Sequence, residues 1–177
     1  MTKLLPLASV ALVAWATAAI GQESPTPTES EVKPIKATFL ITGLHCPPCT
    51  KTVQSSLQNV DGIVSVKVDW KSKKALIEFD ETVLPAQQIG ILVAKTPHMM
   101  GGNMHYAGWL ALKAPEITDG ASAKRAEEAL RKVKGVSRVA TYPAQHSLSV
   151  SFDKKGKLTT GDLIVALKEA GFHAEPL

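Results

Sequence analysis

Cysteine is nearly absent from this chain of 177 residues: there are two, Cys46 and Cys49. They leave room for one disulfide or one shared metal ion and nothing larger. No run of basic residues is interleaved with aromatics, which excludes a nucleic-acid groove, and the net charge of +4 is spread over interspersed charges of both signs. No Ser-His-Asp set, zinc-hydrolase spacing or phosphate-binding glycine loop is present, so the chain reads as a binding protein and not as an enzyme. Long apolar runs are missing too, except one at the start, so no later segment is suited to crossing a membrane.

That run sets the expected compartment. Lys3 precedes apolar residues from Leu4 to Ile20, ending in small residues that fit a small-x-small cleavage site. Residues 1–21 read as a signal peptide, with Gln22 as the mature N-terminus and a periplasmic or secreted product. An uncleaved membrane anchor is the alternative; Pro6 and the shortness of the run argue against it. Residues 22–34, rich in Ser, Thr, Pro and Glu, have almost nothing to bury and read as a flexible linker.

The remainder repeats itself. Gly62-Ile63-Val64-Ser65-Val66 aligns with Gly135-Val136-Ser137-Arg138-Val139, and the same shift lays Ala75–Asp80 on Leu148–Asp153. One further residue of shift lays Leu84, Ile89 and Val93 on Leu158, Leu163 and Leu167. Each copy shows the same succession of periods: an alternating strand, a helix, two alternating strands and a second helix. The expected fold is α+β: two tandem ferredoxin-like βαββαβ domains, residues 35–106 and 107–177. Each would be a four-stranded antiparallel sheet, strand order 4-1-3-2, with two helices on one face. This topology puts the β1–α1, β2–β3 and α2–β4 turns at one end.

The two cysteines fall at that end, Cys46 in the first turn and Cys49 in the opening of the first helix. Pro48 is acceptable there because its missing N–H is not needed. Free amides and the positive end of a helix favour thiolate, the form that binds metal. Two soft sulfurs suit Cu(I), and less selectively Zn(II), Cd(II) or Hg(II). In an oxidising compartment the same pair can close as a disulfide.

Gly43-Leu44-His45-Cys46-Pro47-Pro48-Cys49, the helix after it and Val60–Val66 resemble a heavy-metal-associated domain. That family contains copper chaperones, metal-ATPase N-terminal domains and periplasmic mercury-binding proteins, and its pattern is Gly-Met-x-Cys-x-x-Cys. The resemblance implies Cys46 and Cys49 as metal ligands, with Leu44 in place of the Met that packs beneath the loop. It implies Cu(I) as the ion, Hg(II) or Zn(II) as alternatives, and a metal-transporting membrane protein or another metal-binding domain as partner. In the second copy the ligand positions fall on Asp119 and Ser122, neither a soft donor, so residues 107–177 are read as a degenerate, cysteine-free domain with a helix N-cap there.

The function expected is capture, buffering or transfer of Cu(I) by an exported protein. The rival is a periplasmic thiol-disulfide redox protein using Cys46 and Cys49, since Cys-Pro-Pro-Cys at a helix start also serves that chemistry. A second group of candidates lies in His98-Met99-Met100-Gly101-Gly102-Asn103-Met104-His105. Topology brings this turn to the cysteine end, and in the resembling family it approaches the metal. His98, Met99 and Met100 are therefore candidate third ligands or entry residues.

Overall fold

The structure, a computed structural model, describes residues 33–177. The expected signal peptide and most of the expected linker lie outside the described residues. The elements follow in the order β1 (Ile35–Thr42), α1 (Pro47–Leu57), β2 (Ile63–Asp69), β3 (Lys74–Phe79), α2 (Ala86–Lys95), β4 (Ala107–Lys113), α3 (Gly120–Arg131), β5 (Val136–Tyr142), β6 (Ser147–Phe152), α4 (Thr160–Glu169) and β7 (Glu175–Pro176). All strand pairings are antiparallel. Among the described residues no helix is long and apolar enough to cross a membrane.

The repeat persists in backbone detail. β2 is irregular against β3 between Ile63 and Ser65, and β5 is irregular against β6 between Val136 and Arg138, the matching positions. The Asp80 amide donates to Gly62 O at 2.7 Å, and its counterpart Asp153 donates to Gly135 O at 2.8 Å.

The sheet corrects the expected architecture. Two separate four-stranded sheets would need eight strands; the described residues form seven, in one sheet ordered β2-β3-β1-β4-β6-β5, with β7 also on β4. Residues 107–111 of β4 pair with β1, while 110–113 pair with β6 on the other edge. One strand thus closes the first copy and opens the second. β7 has only Leu112 and Lys113 left to pair with, which explains its two-residue length. Residues Val32–Leu177 accordingly form one compact unit.

The alternation in each strand decides what is buried. Ala37, Phe39 and Ile41 of β1 and Leu110 and Leu112 of β4 are all buried beneath the helices. They continue through Leu148 and Val150 into one core with Val53, Leu57, Leu130, Leu163 and Leu167 from the helices. Each of these Val, Leu, Ile and Phe side chains contributes about 1.5–3 kcal/mol by leaving water.

A polar clamp also joins the copies. Gln87 of α2 is 1% exposed. Its amide nitrogen donates to the carbonyls of Asp153 (3.1 Å) and Lys155 (3.0 Å), and its oxygen accepts from the Leu158 amide (2.9 Å). The loop between β6 and α4 thereby has its backbone groups satisfied by a side chain from the other half.

Candidate metal centre

The expected meeting of turns is seen in backbone contacts. The Ile41 amide donates to Lys73 O at 2.8 Å, which brings the β2–β3 turn to the end of β1. On the other side Thr42 pairs with Ala107, so the α2–β4 loop returns beside Gly43. Gly43 has φ +87, and a Cβ there would stand 2.5 Å from His105 O. Only glycine tolerates both the left-handed backbone and that approach. Leu44 is buried under the loop at 2% exposure, as the resemblance implies for this position.

Cys46 is the N-cap residue of α1 and Cys49 its third residue. Their sulfurs are 2.7 Å apart; Cys49 is buried and Cys46 partly exposed. A metal–thiolate bond is about 2.3 Å long, so an ion held linearly between the two sulfurs requires them to separate. Cys46, at the surface, is free to make that movement.

The source of thiolate stabilisation differs from the expectation. Pro47 and Pro48 are the first two helical residues and carry no N–H, and the Cys49 amide is taken by Cys46 O at 3.1 Å. The first turn therefore offers few free amides. Burial opposes ionisation of Cys49, but the Cys46 thiol, the nearby Tyr106 hydroxyl and the His45 and Cys46 amides outweigh it. They bring Cys49 down to about 7 from an ordinary value of 9.0. The Cys46 thiol, donating to Cys49, is raised. Tyr106 is pushed up to about 12, first by its own burial and then by its contact with Cys49.

Tyr106 is the residue that sequence reasoning missed. It is 1% exposed, and its hydroxyl makes no well-formed hydrogen bond with any described group. A buried hydroxyl left in that state is costly, and this one is set against the thiol that ionises first. The signal was its position: immediately before Ala107, it must lie beside Gly43 once β1 and β4 are in register.

His98 reaches the cysteine loop. Its Nε2 is 2.9 Å from Gly43 O, its Nδ1 accepts from the Met100 amide at 3.2 Å, and its ring lies on Tyr106 with centroids 4.5 Å apart. Both ring nitrogens are engaged, so His98 pins the Gly43 turn and can join a metal only by breaking one of these bonds. Met99 and Met100 are 54% and 60% exposed. Among the described residues no group of three His, Cys, Asp or Glu side chains gathers as a metal site.

The second copy shows what the same two positions do without sulfur. Asp119 caps α3, accepting from the Ser122 amide at 2.7 Å, while Ser122 Oγ accepts from the Asp119 amide at 3.1 Å. This reciprocal pair is a capping box. The cap of α1 carries no such side-chain bond.

The geometry predicts the proton balance of metal binding. Below about pH 7 both thiols hold protons, and between there and the raised Cys46 value only one does. Affinity for an ion that both thiolates bind therefore rises with pH, two protons being released per ion below about 7 and one above it. Competition titrations at a series of pH values read this as a halving of the slope of log affinity against pH.

Two adjoining thiols thus stand at an uncapped helix start on a duplicated βαββ scaffold. Comparison with known proteins agrees: residues 38–95 match the heavy-metal-associated domain model, and the chain belongs to that family. It is 31% identical over 55 residues to the copper chaperone CopZ of Enterococcus hirae, covering 31% of this chain and 80% of CopZ. It is 31% identical over 52 residues to the periplasmic component of a mercuric transport protein from Shigella flexneri, covering 29% of this chain and 57% of that one. Against copper-transporting ATPase 2 of Mus musculus the match runs over 158 residues at 27% identity, covering 87% of this chain. The chain spans only 11% of that ATPase's length.

Proposed function

We propose that this protein captures Cu(I) on Cys46 and Cys49 and hands it on, in an exported compartment. The observation that carries the reading is the pair of sulfurs at the cap and third positions of α1, with the Tyr106 hydroxyl against the deeper one. Two sulfurs, with no third His, Cys, Asp or Glu donor grouped with them among the described residues, favour an ion content with two ligands. Cu(I) and Hg(II) meet that condition; Zn(II) prefers four. The copper proteins and the mercuric component among its relatives support the same two ions. The partial exposure of Cys46 suits transfer, because an incoming thiolate can attack the ion from that side. The acceptor is another thiolate metal site, on a membrane transporter or a second metal-binding domain. Export rests on the signal-like residues 1–21, and a mature chain starting at Gln22 is its check.

The test is transfer itself. Reduced protein loaded with one equivalent of Cu(I) is mixed with a chromophoric Cu(I) chelator of higher affinity. Complete transfer, at a rate that rises with chelator concentration, is expected. A slow rate independent of chelator, as for an ion released only by unfolding, would remove the hand-over role.

A further inference from the structure

Every methionine among the described residues lies in one loop: Met99, Met100 and Met104. All three are exposed, Met104 least at 40%. Methionine ordinarily fills gaps in a core, and here none does so. The loop leaves α2 through Pro97 and turns at once, the Gly101 amide donating to His98 O at 3.0 Å. Gly101 and Gly102 follow, both at φ +66 with open space around them. This left-handed pair reverses the chain and returns Met104 and His105 toward the end of α2. His98, Met104 and His105 then line a single cleft, with Gly101, Gly102 and Lys95.

The cleft offers thioether and imidazole and no carboxylate. Hard cations therefore find no suitable donor. Lys95 repels any cation, a doubly charged one twice as strongly as a singly charged one. Donor type and field together select a soft, singly charged ion. Thioether binds without losing a proton, so such a site works whether or not the thiols are reduced.

We propose that this loop is a second, thiol-independent site for a soft monovalent ion, held by Met104 and His105 and completed by Met99 or Met100 as the two glycines let the loop close. It rests on the soft-ion role proposed above but uses neither cysteine. His98, on the wall of the cleft, is also bonded to the Gly43 turn.

The probe is Ag(I), counted by native mass spectrometry on the full chain. Reduced wild type binds two Ag(I), and Cys46→Ser/Cys49→Ser binds one. Adding Met99→Leu, Met100→Leu and Met104→Leu to that variant lowers its Ag(I) affinity by at least about tenfold. These side chains are exposed, so the fold is not at stake. If Ser at the buried position 49 disrupts the loop, wild type oxidised to its internal disulfide is the substitute, and it also binds one. Two ions on wild type that fall to none in both thiol-blocked forms would overturn the proposal, as would one falling to none, the latter leaving the cysteine reading intact. Affinity unchanged by the three Met replacements would overturn it as well. One ion on both wild type and the Ser variant would uphold the loop site and remove the cysteine reading.

Discussion

Cys46→Asp combined with Cys49→Ser should lower Cu(I) affinity by several orders of magnitude and, at the same time, make the protein more stable. The second copy shows why. Asp119 and Ser122 occupy the corresponding cap and third positions of α3 and satisfy each other's amides, whereas the cap of α1 has no side-chain bond. Installing an Asp/Ser pair supplies the missing cap, a gain of about 0.5–2 kcal/mol. Both soft ligands are gone, and oxygen donors hold Cu(I) poorly. Competition titration against a Cu(I) chelator and thermal unfolding are the two measurements. Undiminished Cu(I) affinity would contradict the assignment of the cysteines; a fall in stability would contradict the description of the α1 cap.

Gln87→Leu should be the most damaging single substitution outside the apolar core. Leucine roughly keeps the volume but leaves the carbonyls of Asp153 and Lys155 and the Leu158 amide without their partner. Each orphaned buried group costs about 1–3 kcal/mol, and water reaching part of the loop reduces the sum. The expected loss is about 2–5 kcal/mol for the set, and each kcal/mol lowers the melting temperature of a domain this size by about 2–4 °C. Gln87→Glu separates the contributions: its carboxylate still accepts from Leu158 but faces two carbonyls to which it cannot donate. It should be at least as destabilising as leucine at neutral pH and recover partly in acid, where the protonated carboxyl regains one donor. A Gln87→Leu protein that melts within a degree or two of wild type would mean that the clamp is not what holds the copies together. Cu(I) affinity should be unchanged while the variant is folded, since the side-chain bonds of Gln87 all run to the loop between β6 and α4.

The repeat, the strands, the helices and the position of the two cysteines at a helix start were legible because each left a local signal: alternation, a cap residue, a motif. The shared strand was not. Ala37 and Phe39 correspond to Leu110 and Leu112 by the repeat shift, so the second copy demands the same inward residues of β4 that the first copy demands of its closing strand. One alternating segment satisfies both, and alternation alone cannot reveal that its two edges are occupied by different copies. The cysteine environment was legible in identity but not in electrostatics. Helix-start reasoning pointed to free amides, yet Pro47 and Pro48 have none to give. The stabilising donors come from His45 and Cys46 before the helix and from Tyr106, far away in sequence. His98 was placed at the right end of the fold, but only the structure shows both its nitrogens engaged.

X-ray absorption at the copper edge, on reduced full-length protein loaded with one equivalent of Cu(I) and measured at a pH above 7, tests the central claim most directly. A first shell of two sulfurs at thiolate distance is expected, and it disappears in Cys46→Asp/Cys49→Ser. A wild-type shell dominated by nitrogen or oxygen, or an unchanged two-sulfur shell in that variant, would contradict it.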